Sequence, residues 1–439
     1  MILIYSEELT PRFEYISRLI FEDILRASIS FTSNSAEFRK SELPKINYSY
    51  EKFDDELYLK PHRILFSRAL IYPDFGTVPY NGQKYFFETS KDSFLPFDPL
   101  AASFFVVTRL EEYLEKHKGK YGRYSSSQSI LFKYNLLEKP VVNIWAAILA
   151  QKIKERYPSI EFPKRKFQFI STIDIDNAWA YSNKGLARNT GALIKGLVKN
   201  RAGNSERLKV WFKIKKDPYD TYDYMNNVFN GKEKNVIFFF LLGDYSKYDK
   251  NVSHNNKNLR KLIQSISARY TIGIHPSYSS SRKGKSYKIG KEVNRLKKIT
   301  GKEITKSRQH YLRLSFPKTY RRLIKQGISE DYTMGYAARV GFRAGICTPF
   351  LFYDLKKDRV TNLKAYPFQV MDVTLKNYLS LSTEEAKKTI ERLMLEVKNV
   401  GGAFISIWHN ETLNERDGWA GYKEVFEYMN ELGVKLENE

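Results

Sequence analysis

Residues 167–176 have the sequence Phe167-Gln168-Phe169-Ile170-Ser171-Thr172-Ile173-Asp174-Ile175-Asp176, an apolar run that ends in two carboxylates. This pattern predicts a buried β-strand. Along a strand, side chains two positions apart point to the same face, so Asp174 and Asp176 can reach one centre. Two carboxylates this close can have different roles, with one binding a metal ion and the other acting as a general base. The alternative is a turn in which one of them caps the next helix.

Three further strand-like runs carry a histidine at or near their ends. They are residues 270–275, 304–312 and 403–409. Side chains that arrive one per strand end, from distant segments, are typical of the site of a barrel-like α/β enzyme. Asp176, His275 and His310 would then supply a carboxylate and two imidazoles to a catalytic metal ion, with a fourth position for water. Each histidine on its own would more often be structural.

Two more residues are candidates for the reaction itself. His409 can donate a proton to a leaving group if it faces the same cavity; the alternative is a histidine that is hydrogen-bonded to a neighbouring loop. Arg343 lies between Gly341 and Gly345, which allow close backbone approach. We expect its guanidinium to orient the predicted base, Asp174, and to keep it ionised.

Strand-like and helical patterns alternate from residue 165 onward. The strand candidates are 167–176, 236–242, 270–275, 304–312, 333–343, 368–372 and 403–409, and the helical stretches include 258–267, 289–300, 317–326 and 383–399. The last helical stretch opens with Ser382-Thr383-Glu384-Glu385, a helix-start signature. Seven strands that alternate with helices predict a parallel sheet, either doubly wound or closed into a barrel.

The first 160 residues have a different pattern. Short strand-like pieces at 2–5, 63–66 and 85–87 are followed by two helical patterns, at 98–116 and 141–157. Pro158 and Pro163 mark a linker, so we place a domain boundary there. The prediction is a smaller α+β domain at 1–160 and a second domain at 165–439 that carries the site. A length of 439 residues fits two or three domains.

The composition is that of a folded protein, and it limits the chemistry. Hydrophobic residues make up 42% of the chain, which excludes a disordered protein. The single cysteine, Cys347, excludes an internal disulfide and a zinc cluster of thiolates, so a transition metal must rely on histidine and carboxylate. We assign Cys347 to the core, because no feature of the sequence pairs it with a base. Nucleophile-elbow and phosphate-loop motifs are absent from the sequence.

The net charge of +24 is unevenly distributed. Residues 282–325 contain 16 Lys and Arg against two Glu, and 184–216 form a second basic stretch. An anionic partner that bears phosphate or is lipid-linked is one interpretation, and solvated helix faces are the other. Nucleic acid is disfavoured, because the basic segments lack interleaved aromatic platforms. The sequence has neither a secretory signal nor an apolar run of about 18 residues, so we expect a cytoplasmic protein without a transmembrane segment.

The order of these motifs resembles the NodB-type polysaccharide deacetylases, carbohydrate esterase family four, over residues 165–439. The motifs are Thr172-Ile173-Asp174-Ile175-Asp176, His275-Pro276-Ser277-Tyr278, Arg308-Gln309-His310-Tyr311, Gly341-Phe342-Arg343-Ala344-Gly345 and Ile407-Trp408-His409. In this family the second motif gives both metal histidines from one turn. Here Ser279 stands where the second histidine is expected, and His310 offers the replacement. A divergent branch found with bacterial surface-polysaccharide gene sets has the same pattern, and residues 1–160 look like the uncharacterised domain that often precedes it.

The resemblance implies a distorted (β/α) barrel of about seven strands. It also implies a metal-dependent hydrolase, with Zn²⁺ as the expected ion, that removes N-acetyl groups from a glycan or glycan precursor. The catalytic residues would be Asp174, Arg343 and His409, and the metal ligands Asp176, His275 and His310. The alternative function is a catalytically inactive barrel that binds an anionic glycan, a lipid-linked sugar or an assembly partner through residues 282–325.

Overall fold

The computed structural model describes residues 1–80, 82–115, 119–185, 203–416 and 418–439. In the amino-terminal region, four parallel strands form a sheet in the order β2-β1-β3-β4, and β5 and β6 form an antiparallel hairpin. The strands are β1 Ile2–Tyr5, β2 Ile29–Thr32, β3 Lys45–Asn47, β4 Leu57–Tyr58, β5 Thr77–Tyr80 and β6 Gln83–Phe86. The helices are α1 Pro11–Arg18, which continues into a π-helical segment Leu19–Ile24, and α2 Ser35–Lys40, α3 Pro99–Val107, α4 Leu110–Leu114, α5 Ile130–Lys133 and α6 Val141–Arg156.

Local signals explain where these elements begin and end. Asp98 caps α3, because its carboxylate accepts hydrogen bonds from two backbone N–H groups of the first turn. The predicted helix at 98–116 is divided in two where Arg109 adopts a left-handed conformation, with φ of 55°. The prediction of a strand at 63–66 is wrong: His62 accepts the N–H of Ile64 and caps a 3-10 turn at Arg63–Leu65. The amino-terminal region was predicted to be an α+β domain. Its four-stranded parallel sheet is instead typical of α/β proteins.

Nine strands among the described residues form the second sheet, in the order β12-β13-β11-β10-β9-β8-β7-β15-β14. They are β7 Gln168–Ile175, β8 Val236–Phe240, β9 Thr271–Ile274, β10 Lys306–Ser307, β11 Glu330–Asp331, β12 Phe350–Asp354, β13 Arg359–Ala365, β14 Val370–Met371 and β15 Ala403–His409. Neighbouring strands are parallel, except that the edge strand β12 is antiparallel to β13.

Helices connect most of these strands. They are α7 Gly203–Trp211, α8 Tyr222–Val228, α9 Lys257–Arg269, α10 Tyr287–Thr300, α11 Lys318–Ile324, α12 Thr383–Val400 and α13 Tyr422–Asn438. The helix-start signature predicted for α12 is confirmed, because Ser382 and Glu385 form a reciprocal capping box. A second π-helical segment, Thr374–Tyr378, follows β14, and short 3-10 turns include Lys120–Gly122, Tyr278–Ser281, His310–Leu312 and Asn410–Thr412.

The α/β class is confirmed, but the prediction of about seven strands is too low. The hairpin β12–β13 was not predicted, and the segment 333–343, predicted as a strand, has no regular secondary structure. Two close approaches account for the irregular path. A Cβ on Gly335 would come within 2.3 Å of the Phe368 ring, and Gly341 has φ of 108° with the Leu137 carbonyl beside it.

The second sheet curves back toward itself. The Phe368 N–H donates to the Met334 carbonyl over 3.1 Å, and the Thr374 hydroxyl donates to the Ala337 carbonyl over 2.8 Å. These contacts join the segment after β11 to the segments that flank β14, although five strands separate β11 from β14 in the sheet order. Closure into a distorted barrel stays a prediction, because β14 and β12 are edge strands in the described part of the sheet.

The amino-terminal region packs directly on the second sheet. Buried apolar residues from both form one continuous hydrophobic core. At the contact with β12, the rings of Tyr15 and Tyr353 lie 4.9 Å apart, and Arg12 pairs with Asp358 over 2.8 Å. The boundary at residue 160 stays a prediction. Within the described ranges, no helix has the length and apolar character that spanning a membrane requires.

Candidate metal centre and active site

Parallel pairing brings the predicted site residues to one edge of the second sheet. Ile175 in β7 pairs with Phe240 in β8, and Phe240 pairs with Ile274 in β9, which is next to β10. The chain segments that follow these strands therefore leave the sheet side by side at its carboxyl edge, where α/β proteins place their sites. On the opposite side of β7, Asp174 pairs with His409 of β15.

Asp176, His275 and His310 form a compact group. The Oδ1 atom of Asp176 is 3.1 Å from Nε2 of His275, and Oδ2 is 3.4 Å from Nε2 of His310. The three possible ligand atoms all lie within 4.8 Å of one another. The structure thus brings together the three side chains predicted as metal ligands, and their binding of an ion stays a prediction.

The hydrogen bonds of the two imidazoles fit a cation site. Nδ1 of His275 lies 2.7 Å from the carbonyl oxygen of Arg308, and Nδ1 of His310 lies 3.0 Å from a carboxylate oxygen of Asp249. Both partners are acceptors, so each Nδ1 carries the proton. In the neutral imidazoles, both Nε2 lone pairs then face the carboxylate of Asp176, whose buried Oδ1 accepts no hydrogen bond among the described residues. Three facing acceptors favour a positive ion between them, and this donor set is one that zinc prefers.

The charges of the group are strongly coupled. Burial alone would raise the pKa of Asp176, but the imidazoles of His310 and His275 hold it well below its usual range. Burial alone would lower the pKa of His310, but the carboxylates of Asp176 and Asp249 outweigh this effect and raise the pKa to about 9. Without a metal ion, a proton on His310 therefore supplies the positive charge that the site demands.

Asp174 lies beside this group and is held by Arg308. The two residues are fully buried, and Nη1 of Arg308 donates to Oδ1 of Asp174 over 2.9 Å. The same guanidinium donates to the carbonyl of Tyr332 and lies 4.6 Å above the ring of Phe239, which fixes its orientation. The other oxygen of Asp174, Oδ2, is 3.8 Å from Nε2 of His275. One oxygen is thus bound by the arginine, and the other faces the metal-ligand group.

The position predicted for Arg343 is occupied by Arg308. Arg343 instead forms a two-pronged ion pair with Glu112 of the amino-terminal region, at 2.9 and 2.6 Å. Glu112 also accepts from Nε of Arg109 over 2.9 Å. The glycines around Arg343 allow the backbone to approach a neighbouring segment closely, as predicted. That segment belongs to the amino-terminal region, because the N–H of Phe342 donates to the carbonyl of Leu137 over 2.7 Å.

His409 is at the end of β15 and is oriented by Asp372. Nδ1 of His409 lies 2.9 Å from one oxygen of Asp372, which also accepts the backbone N–H of His409 through its other oxygen. Nε2 is left to face the site, 4.0 Å from Oδ2 of Asp176. Burial lowers the pKa of His409, but Asp372 outweighs burial and raises it to about 10. The imidazole is therefore protonated at neutral pH.

One cavity of about 250 Å³ is lined by Asp174, Asp176, His275, His310 and His409. Its lining also includes Glu411, whose pKa burial and the charge of Asp176 raise to about 7. Arg308, Asp249 and Asp372 hold site residues through contacts that the sequence motifs did not predict. Arg308 and Asp372 were detectable, since Arg308 lies two residues before His310 and Asp372 is the last residue of the predicted strand 368–372. Asp249 lies in the loop after β8, where no pattern marks it.

The basic segment 282–325 is not a uniformly free cationic surface. Six of its side chains pair with carboxylates: Lys288, Arg295, Lys297, Lys306, Arg308 and Arg321. Binding of an anionic partner through this segment stays a prediction. Most of the other basic stretch, 184–216, lies outside the described residues.

Comparisons with known proteins give limited matches. Residues 2–158 match a family model described as "Family of unknown function (DUF7033)". No curated protein sequence matches the chain significantly. Among solved structures, the chain is similar to a protein described as a polysaccharide deacetylase from Mycobacterium smegmatis, with 13% identity, a TM-score of 0.41, and coverage of 63% of this chain and 87% of that one.

Two other solved structures show the range of these similarities. A 4-alpha-glucanotransferase from Thermococcus litoralis has 14% identity and a TM-score of 0.38, with coverage of 63% of this chain and 38% of that one. A polysaccharide deacetylase from Bacillus cereus has 12% identity and a TM-score of 0.28, with coverage of 62% and 89%. At such values the neighbours do not assign a function, which must be inferred from the side chains of the site.

Proposed function

We propose that the protein is a metal-dependent hydrolase that removes N-acetyl groups from a glycan or a glycan precursor. The observation that carries the proposal is the content of one cavity: a three-residue cation site, a carboxylate held beside it by Arg308, and an imidazole held by Asp372. The choice of an N-acetylated sugar rests on the resemblance of the sequence motifs to NodB-type polysaccharide deacetylases.

Asp176, His275 and His310 would hold the ion, for which zinc is our choice. When bound, zinc supplies Lewis-acid polarisation of a carbonyl and lowers the pKa of water. Only one of the three ligands is anionic, so the bound site keeps a net positive charge to stabilise a developing oxyanion. Asp249 holds His310 in the tautomer that presents Nε2, as the Arg308 carbonyl does for His275.

Asp174 would act as the general base. Its Oδ2 would accept a proton from the water that attacks the acetyl carbonyl, while Arg308 binds Oδ1 and fixes the orientation of the carboxylate. His409 would act as the general acid. Its Nε2 gives a proton to the sugar nitrogen as the carbon–nitrogen bond breaks, so the products are acetate and an amine. Asp372 keeps the proton of Nδ1 in place during this transfer.

Arg343 has no part in this proposal. Both oxygens of its partner Glu112 are bound by arginines, and neither residue lines the cavity. We assign the pair to the packing of the amino-terminal region on the second sheet.

The test combines metal analysis with a reaction assay. We expect the purified protein to contain stoichiometric zinc and to release acetate from N-acetylated oligosaccharides. His275→Ala and His310→Ala should lose zinc and activity together, as should Asp176→Asn. His254→Ala is the matched control, because His254 lies outside the cavity. A protein that binds no divalent metal and releases no acetate would be an inactive barrel, which is the alternative function.

A further inference from the structure

The amino-terminal region contributes side chains to the cavity of the proposed active site. Tyr121 and Arg123, in and just after the 3-10 turn Lys120–Gly122, line this cavity together with the metal-ligand group. The ring of Tyr121 lies 4.9 Å from the ring of Tyr311, the residue next to His310. One wall of the cavity is therefore built by a part of the chain that contains none of the proposed catalytic residues.

A second cavity continues the first along the amino-terminal region. It has a volume of about 180 Å³ and is lined by the loop from Gly119 to Ser126 on one side and by Tyr336 and its neighbours on the other. The two cavities share Tyr121, Arg123 and Tyr378 as lining residues. They thus form two parts of one cleft, which extends beyond the metal-ligand group and offers room for more than one sugar unit.

Arg123 is the only Lys or Arg side chain that lines either part of the cleft in the described structure. Its guanidinium lies 4.9 Å above the ring of Tyr121, and Nη2 is 3.5 Å from the hydroxyl of Tyr378. No carboxylate of the described residues forms an ion pair with it, in contrast to the buried Arg308 and Arg343. Three carboxylates line the cavity elsewhere: Asp174, Asp176 and Glu411.

This arrangement fits a ligand that carries its own negative charge. An arginine that lies against aromatic rings and lines a cleft is suited to bind a carboxylate or phosphate. In the proposed reaction the metal-ligand group is occupied by the N-acetyl group, so the anion of a neighbouring unit would lie at Arg123, which lines both cavities. The tyrosine rings that flank the cleft provide apolar faces for sugar rings.

We propose that the amino-terminal region forms the second half of the substrate cleft, and that Arg123 binds an acidic group next to the N-acetyl sugar that is hydrolysed. The acidic group is a carboxylate of a neighbouring sugar unit or a phosphate attached to the sugar. This inference rests on the proposed function for the identity of the sugar. It gives the region that matches a family of unknown function a role in the choice of substrate.

The experiment compares two matched pairs of probes. For the carboxylate, the pair is a tetrasaccharide that alternates N-acetylglucosamine with glucuronic acid and the neutral tetramer of N-acetylglucosamine. For the phosphate, it is N-acetylglucosamine 1-phosphate and N-acetylglucosamine. Binding is measured by calorimetry on zinc-loaded Asp174→Asn protein, in which turnover is suppressed, and acetate release is measured separately on the wild type.

We expect the acidic member of at least one pair to bind about ten-fold more tightly than its neutral partner, as a charge-assisted hydrogen bond allows. Adding Arg123→Gln should bring this ratio close to one, and Arg123→Lys should restore part of it. Arg339→Gln is the control and should leave the ratio unchanged: Arg339 lies 5.6 Å over the ring of Phe132, outside the cleft. Thermal unfolding of each variant checks its fold.

The results separate this inference from the proposed function. If the protein prefers the acidic probe through Arg123 but releases no acetate, the anion-binding site is supported and the hydrolase function is rejected. Acetate release without any acidic preference, or with a preference that survives in Arg123→Gln, rejects the role of Arg123 and keeps the hydrolase. Failure of both acidic probes to bind also rejects the role of Arg123.

Discussion

Two buried arginine–carboxylate pairs of the structure differ in one respect. In the Arg308–Asp174 pair, one carboxylate oxygen is bound by the guanidinium and the other faces the metal-ligand group. In the Arg343–Glu112 pair, both oxygens are bound by Arg343, and Arg109 adds a second cation. The carboxylate of the first pair therefore has an oxygen that can take part in proton transfer, whereas both oxygens of Glu112 are already bound by arginines.

The comparison shows that burial and charge do not by themselves identify a catalytic carboxylate. Both pairs consist of fully buried side chains. Asp174 differs in that it lines the cavity and that its Oδ2 accepts no hydrogen bond from the described residues. Glu112 supports the contact between the amino-terminal region and the segment around Gly341 instead. Both roles can be tested by isosteric substitutions that remove one charge.

The largest effect is expected for the first pair. Asp174→Asn removes the proposed base and should lower kcat by about 10²–10⁴-fold, the usual contribution of general base catalysis. Zinc content should stay stoichiometric, since the ligands are Asp176, His275 and His310. Acetate release and metal analysis on the same preparation measure both quantities. Loss of zinc in Asp174→Asn, with retention in Asp176→Asn, would mean that the roles of the two aspartates are exchanged.

The second pair should affect stability and not the reaction, because Glu112 does not line the cavity. Glu112→Gln leaves the buried Arg343 without its carboxylate partner, while Arg109 keeps Glu111, and the free energy of unfolding should fall by about 3–5 kcal/mol. Urea denaturation measures this change. Glu138→Gln is the control, because its partner Arg392 is half exposed and such pairs contribute at most about 1 kcal/mol. If Glu112→Gln unfolded like the wild type but lost turnover, the Arg343–Glu112 pair would have a role in catalysis, and the proposed difference between the two pairs would be wrong.

The sequence predicted the convergence of the site better than its internal contacts. Asp176, His275 and His310 could be grouped because parallel strands end at one edge, so a polar residue after each strand is a strong signal. The choice between Arg308 and Arg343 depends on the register of the short strand β10 and on how Gly341 meets Leu137. Neither is encoded in a local pattern. Flanking glycines indicated a close approach correctly, but not its partner.

The same limit applies to the rest of the fold. Long strands with buried neighbours, β7, β8 and β15, were predicted to within a few residues, because continuous apolar runs mark them. β10, β11 and β14 have two residues each, too few for a periodic signal. The contribution of Arg123 to the cavity is a property of how the two parts of the chain pack, and it has no sequence signature.

The pair of Asp372 and His409 should be visible in the pH dependence of stability. The pKa of His409 is near 6.5 in the unfolded chain and is raised to about 10 in the folded protein. The ion pair with Asp372 therefore contributes its full stabilisation of the fold below pH 6.5, and this contribution is lost as the pH rises through 10. In metal-free protein, the difference in unfolding free energy between the wild type and Asp372→Asn should therefore shrink from pH 6 to pH 10. Asp223→Asn, at an exposed pair with Lys216, should show no such trend.

Asp249 is a carboxylate that acts on the site only through His310. Its substitution should therefore have the smallest effect of those proposed here. Besides His310, it accepts the backbone N–H groups of Tyr278 and Ser279 and the hydroxyl of Ser246. Asp249→Asn keeps the size of the side chain but weakens the hold on the tautomer of His310, so zinc affinity should fall by about 10–100-fold.

Competition with a chelator measures that affinity, and turnover at saturating zinc should recover most of the wild-type rate, because Asp249 touches neither the base nor the acid. Asp244→Asn is the matched control: Asp244 lies in the same loop, but it pairs with Arg295 and Lys288 at the surface. An unchanged zinc affinity in Asp249→Asn would mean that packing alone orients His310. Asp372, which holds His409, would then be the carboxylate of the proposed mechanism that acts through another residue.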